Sequence, residues 1–411
     1  MTAGFLRRLG PGIAIAATGV GAGDLAAASA CGFRFGTALA WSVVVGAALK
    51  YVLNEGIARW QLGQGQSVLR AIVERLPRPV SWYLLLYLLL WTPAVAGALA
   101  AACGIALNAI WPALGVAAWG SVQAAVAAAL VLAGGYRLFE AVMEGLMALM
   151  FIAIVGSAIW LRPDPAAVLS GLVVPHVPDG SAWVVLSMLG GLGGSVTLLA
   201  YGYWIEEKGW RGRAWLPTVR LDLGVAYALT GTFGVAMVVL AAALGETAGE
   251  IGGGVSFLVA LADVVGGVLG GAGRGIFLLG VWGAVFTSML GVWQGVPYLH
   301  ADFVGALRGE AGTGSRSRYR AAVVAIAVAA IILVNLGRPL WLLLGYTVVG
   351  ALFLPFLALC LLRLNAPGGP QGASLGNRLV SRLLLWAALA VFLLLGLKEA
   401  GDALFPAAGG T

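Results

Sequence analysis

The chain has 411 residues, 61% of them hydrophobic and 10% charged, with a formal net charge of +7 and a mean hydropathy of +0.97. Soluble domains carry about 25% charged residues, so this composition excludes a water-soluble globular protein. The apolar runs are about 20 residues long and do not alternate, which selects membrane-spanning helices over a β-barrel.

In chain order, a short start carrying Arg7 and Arg8 leads straight into the first apolar stretch, with no cleavable signal segment expected. Eleven spans are predicted, at about 11–32, 36–60, 80–107, 113–132, 139–161, 183–205, 221–244, 275–296, 321–336, 340–362 and 379–397. The glycine-rich stretch 252–273 reads as an external loop with a short surface helix near 257–265. Two spans are interrupted by glycine. The first reads Thr18-Gly19-Val20-Gly21-Ala22-Gly23-Asp24 and the sixth Gly190-Gly191-Leu192-Gly193-Gly194-Ser195. Glycine weakens a helix, and an acidic side chain at membrane depth is unfavourable without a partner or water. A chain that only crossed the bilayer would carry Leu or Ala at those positions.

Charge distribution orients the spans. With the N-terminus in the cytoplasm, nineteen of the 24 Lys and Arg residues fall on the inner side, as the positive-inside rule requires. The alternation holds only for an odd number of spans and places the C-terminus outside, in a multi-pass protein of the cell membrane. Eleven spans divide into repeats of about 11–161 and 183–362 plus an extra helix at about 379–397. Five spans per repeat force the second repeat to be inverted. The interrupted first and sixth spans then hold corresponding places, which is the sequence pointer to a transporter binding site at mid-membrane. The expected fold is an all-α membrane protein of eleven transmembrane helices, built as a 5+5 inverted repeat like the amino-acid and neurotransmitter sodium symporters, with helices 1 and 6 unwound.

Cys31, Cys103 and Cys360 lie in apolar segments without metal-type spacing and read as small core residues. His176 and His300 fall in or beside loops, outside the predicted spans. No cofactor, nucleic-acid partner or protein partner is expected. The partners implied are the bilayer and a transported small ion or solute, with the chain acting as a monomer.

Several motifs, in order along nearly the whole chain, resemble the Nramp family of metal-ion transporters. They are Gly10-Pro11-Gly12, Arg34-Phe35-Gly36 followed by Ala38-Leu39-Ala40-Trp41, Lys50-Tyr51 with Glu55-Gly56-Ile57-Ala58-Arg59-Trp60, Gly291-Val292-Trp293-Gln294-Gly295 and Leu354-Pro355-Phe356. Anchored on Arg34-Phe35-Gly36, the family's Asp-Pro-Gly-Asn motif falls on Gly21-Ala22-Gly23-Asp24. Its Met-Pro-His, aligned on Tyr203, falls on Leu198-Leu199-Ala200. The resemblance implies backbone carbonyl ligands at Thr18 and Ser195 and a cavity-facing Gln294. It also puts Gly21 and Leu198 where the family's aspartate and methionine ligands stand, and Gly234 at the asparagine position of span 7. A soft sulfur ligand favours transition metals over hard cations. Its replacement by Leu198 removes the visible source of manganese or iron selectivity, and the loss of the span 6 histidine removes the usual proton relay. The resemblance thus implies a divergent branch. Related branches lacking the methionine include magnesium transporters.

Read from the residues themselves, Asp24 is the leading candidate: a cation-binding carboxylate, a helix N-cap, or both. Thr18, Ser195 and Thr197 offer hydroxyl or carbonyl oxygens, and Tyr201 lines the path or packs. Glu55 and Arg59 share a face of span 2 and read as a structural ion pair near the inner gate. Glu140 and Glu144 read as lining an inner vestibule or meeting Arg137. Asp222 is expected to pair with Arg220 or Arg213, and Glu206-Glu207-Lys208 to be solvated. One carboxylate with carbonyl oxygens suits a partly hydrated divalent ion such as magnesium. It suits an organic amine as well, with cation–π help from aromatics, or an amino acid whose carboxylate meets a half-helix N-terminus. The expected function is a secondary-active or facilitative alternating-access carrier of a divalent cation of the magnesium or manganese class, without the standard proton coupling. The alternative is a carrier of a small amine or amino acid. A channel lacks visible selectivity elements, and an enzyme lacks a His-Glu-x-x-His ligand set.

Overall fold

In a computed structural model of the protein, residues 10–191, 194–243, 255–310, 312, 315–336, 353–366, 369 and 375–404 are described. Fourteen α-helices form among them. Span 1 is split into α1 (Gly10–Gly19) and α2 (Ala22–Phe35). α3 (Ala40–Gln64) is span 2, and α4 (Val68–Arg75) follows it after a short turn. α5 (Arg78–Ile110) is span 3. α6 (Val116–Trp160) holds spans 4 and 5, divided where Gly135 takes φ 61° and ψ −175°. α7 (Pro165–Val173) is short. Span 6 comprises α8 (Ala182–Gly191), a 3₁₀ turn (Val196–Leu199) and α9 (Ala200–Glu207). α10 (Leu216–Ala242) is span 7, and α11 (Val255–Leu307) contains span 8 after a break at Gly270. α12 (Arg316–Asn335), α13 (Phe353–Leu364) and α14 (Leu379–Leu404) follow. The first part of predicted span 10 lies outside the described residues.

The elements start and stop where local chemistry dictates. Ser67 caps α4 by accepting from the Arg70 amide at 3.0 Å, and Asp164 caps α7, ahead of Pro165, by accepting from Ala166 at 3.0 Å. α3 ends at Gly65, whose φ of 64° suits only glycine without strain. The 257–265 helix expected at the surface does form, but Leu258, Leu261, Ala262 and Val265 bury one face of it completely. Pro297 does not end span 8. The helix continues to Leu307 with the proline inside it, because one missing amide removes only one hydrogen bond.

α10 packs on α2 and α3, and α11 packs on α5 and α6. Lipid supplies no hydrophobic drive between helices, so close backbone contact through small residues does the holding. Gly104 of α5 and Gly120 of α6 show this. A β-carbon on Gly104 collides with the Val116 carbonyl, and one on Gly120 stands 2.5 Å from the Ala100 oxygen. Gly104→Val is therefore expected to lower stability by about 1–3 kcal/mol through overpacking, read as an earlier thermal-unfolding midpoint in detergent. An unshifted midpoint means the α5–α6 contact has slack.

Candidate functional site

The two helix breaks meet. A β-carbon built on Gly194, whose φ is +88°, stands 2.5 Å from Thr197 Oγ1 and 3.8 Å from Gly19 Cα. A broken helix leaves carbonyl groups without amide partners. Here side chains of other spans take them. In α1, the Thr287 hydroxyl of span 8 shares its proton between the Ala17 carbonyl at 3.0 Å and the Ala284 carbonyl of its own helix at 2.9 Å, and Ser288 Oγ donates to the Thr18 carbonyl at 2.6 Å. In α8, Lys50 of span 2 donates from Nζ to the Gly190 carbonyl at 2.9 Å. Lys50 is fully buried, at 0% exposure. A cation at the C-terminal end of a half-helix is favoured by the helix dipole.

On the far side of each break the chain restarts. Gly21 supplies the first carbonyl of α2, accepting from the Leu25 amide at 3.0 Å. Asp24 is the third residue of α2; its side chain lies outside the described residues. Ser195, 9% exposed, has the non-helical angles φ −125° and ψ −97°. Thr197 is buried, and its Oγ1 has no hydrogen-bond partner among the described residues. The Thr18 hydroxyl donates to the Ala14 carbonyl at 2.6 Å, which leaves its oxygen able only to accept. Leu198 is wholly buried in the apolar core.

The break region thus gathers Thr18, Gly21, Ser195 and Thr197, while other expected site residues are engaged elsewhere. Tyr201 donates its hydroxyl to Asp222 Oδ2 at 2.8 Å, one turn beyond the 3₁₀ segment. Gln294 accepts from Trp204 Nε1 through its side chain, and its carbonyl accepts from the Tyr319 hydroxyl at 3.2 Å. The expected pairing of Asp222 with Arg220 or Arg213 does not form. Arg220 instead donates to Glu55 Oε1 from Nε at 3.0 Å and Nη2 at 2.8 Å. Asp222 sits against Gly12, where an added β-carbon would lie 2.5 Å from Oδ1, so the first turn of α1 and its positive dipole end meet a carboxylate.

Glu55 and Arg59 do form the predicted pair, at 2.7 Å. The pair is the centre of a larger network. Arg59, 3% exposed, also donates to the Leu375 and Gly376 carbonyls at 3.0 and 2.9 Å and to Asn377 Oδ1 at 2.9 Å. A second network sits on wholly buried Asp302, which receives Arg70 Nη2 at 2.9 Å, Ser67 Oγ and the Tyr203 hydroxyl at 2.8 Å.

Two more expectations are corrected. The run Glu206-Glu207-Lys208 is not simply solvated: Lys208 pairs with Glu140, Glu207 accepts from Tyr298 at 2.5 Å, and Glu206 accepts from Gln61 at 3.3 Å. Glu140 therefore meets Lys208 and not Arg137. His300 is not beside a loop. It lies within α11, with Nε2 3.0 Å from Thr92 Oγ1. Among the described residues no three of His, Cys, Asp and Glu converge as a metal cluster.

Lys50 is the residue that sequence reasoning passed over as part of a motif. Its lone charge in an apolar run was the available signal. Lys50→Met is expected to lose a charge-assisted hydrogen bond and about 1.5–3 kcal/mol of stability, measurable by denaturation in detergent. Unchanged stability would remove the capping role.

Opposed breaks in helices 1 and 6 of a 5+5 inverted repeat define the class: an integral membrane protein with the fold of the sodium-symporter type. The chain belongs to the natural resistance-associated macrophage protein-like (Nramp) family, whose model matches residues 12–399. It is 26% identical over 248 residues to the divalent metal cation transporter MntH of Yersinia pestis (strain Pestoides F), covering 58% of this chain and 59% of that one. It is 28% identical over 306 residues to MntH of Chromohalobacter salexigens, covering 70% and 68%. The chain thus spans about three fifths of the length of the first of these relatives. The crystal structure of the Eremococcus coleocola manganese transporter with an aromatic bis-isothiourea compound superposes with a TM-score of 0.76 at 16% identity, over 99% of this chain and 89% of that one. MhsT in complex with L-phenylalanine gives 0.64 at 16% identity, over 95% and 98%. Identities this low speak to the fold alone.

Proposed function

We propose that the chain is an alternating-access carrier of a divalent metal cation, secondary-active or facilitative, that binds its ion between the two helix breaks. The observation that carries this reading is the apposition of Gly194 and Gly19, together with membership of a family whose relatives include divalent metal cation transporters. The proposed ligands are the Asp24 carboxylate, the Thr18 and Ser195 carbonyls and the Thr197 hydroxyl. An all-oxygen set favours a hard ion that keeps part of its water, so magnesium ranks ahead of manganese. The repeats run over about 11–161 and 183–362 with an extra helix at 379–397, the N-terminus inside the cell and the C-terminus outside. Transport, not catalysis, is the proposed activity.

One observation favours a second reading. The Lys50 ammonium at the end of α8 is a resident positive charge beside the breaks, which suits a solute with its own carboxylate, such as an amino acid. A binding screen separates the two. Calorimetry on the purified protein with magnesium, manganese, calcium, amines and amino acids is expected to show saturable heat with a divalent ion at millimolar concentration. Silence with every divalent ion beside a response to an organic solute gives the case to the second reading. Ohmic single-channel currents in reconstituted bilayers would end both.

A further inference from the structure

A cavity of about 840 Å³ opens on the outer flank of the bundle between α3, α10 and α14. None of the residues at the helix breaks lines it. Its walls are mostly apolar and open to the membrane: Val44 of α3 is 48% exposed and Leu384 of α14 36% exposed, with Ala228 and Thr232 of α10 between them. Its polar wall is different in kind. There Glu55, Arg220 and Arg378 come together. Glu55 is already answered twice, by Arg59 and Arg220. Arg378 is exposed and has no ion pair or side-chain hydrogen bond among the described residues. Arg220 spends two of its five N–H groups on Glu55. The four side chains Glu55, Arg59, Arg220 and Arg378 therefore carry an excess of two positive charges at one end of an apolar trough.

The dimensions and charge name the occupant. Along α3 the trough runs from Glu55 to Val44, eleven residues at 1.5 Å each, or roughly 16 Å, and along α10 from Arg220 to Val235, fifteen residues or roughly 22 Å, with Leu172 of α7 also in its wall. One leaflet is about half of 30 Å deep in its hydrocarbon core and about half of 40–45 Å deep with its headgroups. The charge asymmetry of the loops puts Arg220 and Arg378 at the cytoplasmic surface, where anionic lipids concentrate. We infer that this trough is a binding site for one anionic phospholipid of the inner leaflet, its phosphate held by Arg378 and Arg220 and an acyl chain laid between α3 and α10. The site is separate from the proposed cation chamber and stands whether or not the carrier reading holds.

Delipidated protein in detergent is titrated with phosphatidylglycerol or phosphatidylcholine of the same acyl chains, and bound lipid is counted by native mass spectrometry. The wild type is expected to hold one phosphatidylglycerol in preference to phosphatidylcholine by about fivefold or more, the worth of one basic side chain near the surface. Arg378→Gln should bring the two lipids close to parity. Ala228→Trp, which fills the trough, should weaken retention of phosphatidylglycerol while leaving the thermal midpoint in lipid-free detergent unchanged. Equal retention of both lipids by the wild type would reduce the trough to nonspecific acyl contact and overturn the proposal. So would a preference unaltered by Arg378→Gln, full retention by a folded Ala228→Trp, or a dimer whose partner covers the trough.

Discussion

Asp24→Ala is expected to weaken divalent-ion binding at least about 100-fold, a loss of roughly 2.7 kcal/mol, and to abolish flux in liposomes. The reasoning is one of charge supply. Between Thr18 and Leu25, and between Gly190 and Ala200, Asp24 is the single ionisable side chain in the sequence. Every other oxygen offered at the breaks is neutral, and the Thr18 carbonyl already accepts from Ser288. A doubly charged ion leaving water for neutral dipoles alone has too little to offset its hydration. Asp24→Asn, which keeps an oxygen at the same place, is expected to recover part of the affinity and none of the charge. Calorimetry on the three proteins decides it. Binding by Asp24→Ala equal to the wild type would falsify the assignment and move the ion elsewhere in the bundle.

Arg59→Ala is expected to cost about 3–5 kcal/mol of stability, because it leaves the Glu55 carboxylate buried with half of its compensation gone. Arg59 makes four hydrogen bonds to three places in the fold: Glu55 on its own helix, the carbonyls of Leu375 and Gly376, and Asn377 ahead of α14. Arg59→Lys is expected to rescue little, since a point ammonium cannot present the same fork of donors. Chemical denaturation in detergent micelles gives the comparison. A loss below about 1 kcal/mol, the range of a surface ion pair, would mean that water reaches Glu55 and that the network is ornamental. Glu55→Gln removes the opposite partner and tests the same claim from the other side, with Arg220 and Arg59 left competing for neutral acceptors.

Much of this molecule is visible in its sequence because a bilayer imposes one strong rule: backbone groups must find partners inside the helix. Apolar runs of about 20 residues therefore mark spans, and clustered glycines mark places where the rule is broken. That is why the divisions at Val20-Gly21 and around Gly194-Ser195 are legible in the sequence. The helices α4 and α7 escaped notice although Ser67 and Asp164-Pro165 advertise their starts, because they are too short to carry a hydropathy signal. His300 lies beyond the predicted end of span 8 at 296, yet the helix runs on through Pro297 to Leu307.

Side-chain partners were the least legible part. The expectation for Asp222 used the nearest basic residues in the chain, yet Arg220 reaches Glu55, 165 positions away, and Asp222 takes the Tyr201 hydroxyl. Local spacing fixes a pair only when both members share one helix, as Glu55 and Arg59 do. The hydroxyls of Thr287 and Ser288 look like ordinary polar residues in an apolar span. Their role exists only once α1 lies beside them.

Those two hydroxyls decide where the first span can pivot. They pin the Ala17 and Thr18 carbonyls to span 8, so swinging α1 away from that neighbour breaks the Ser288 bond, worth about 1 kcal/mol, and leaves the Thr287 proton to the Ala284 carbonyl alone. On the carrier reading proposed above, a rocking motion would therefore keep the half of the span that ends at Thr18 docked on its neighbour, like a door frame fixed to the wall.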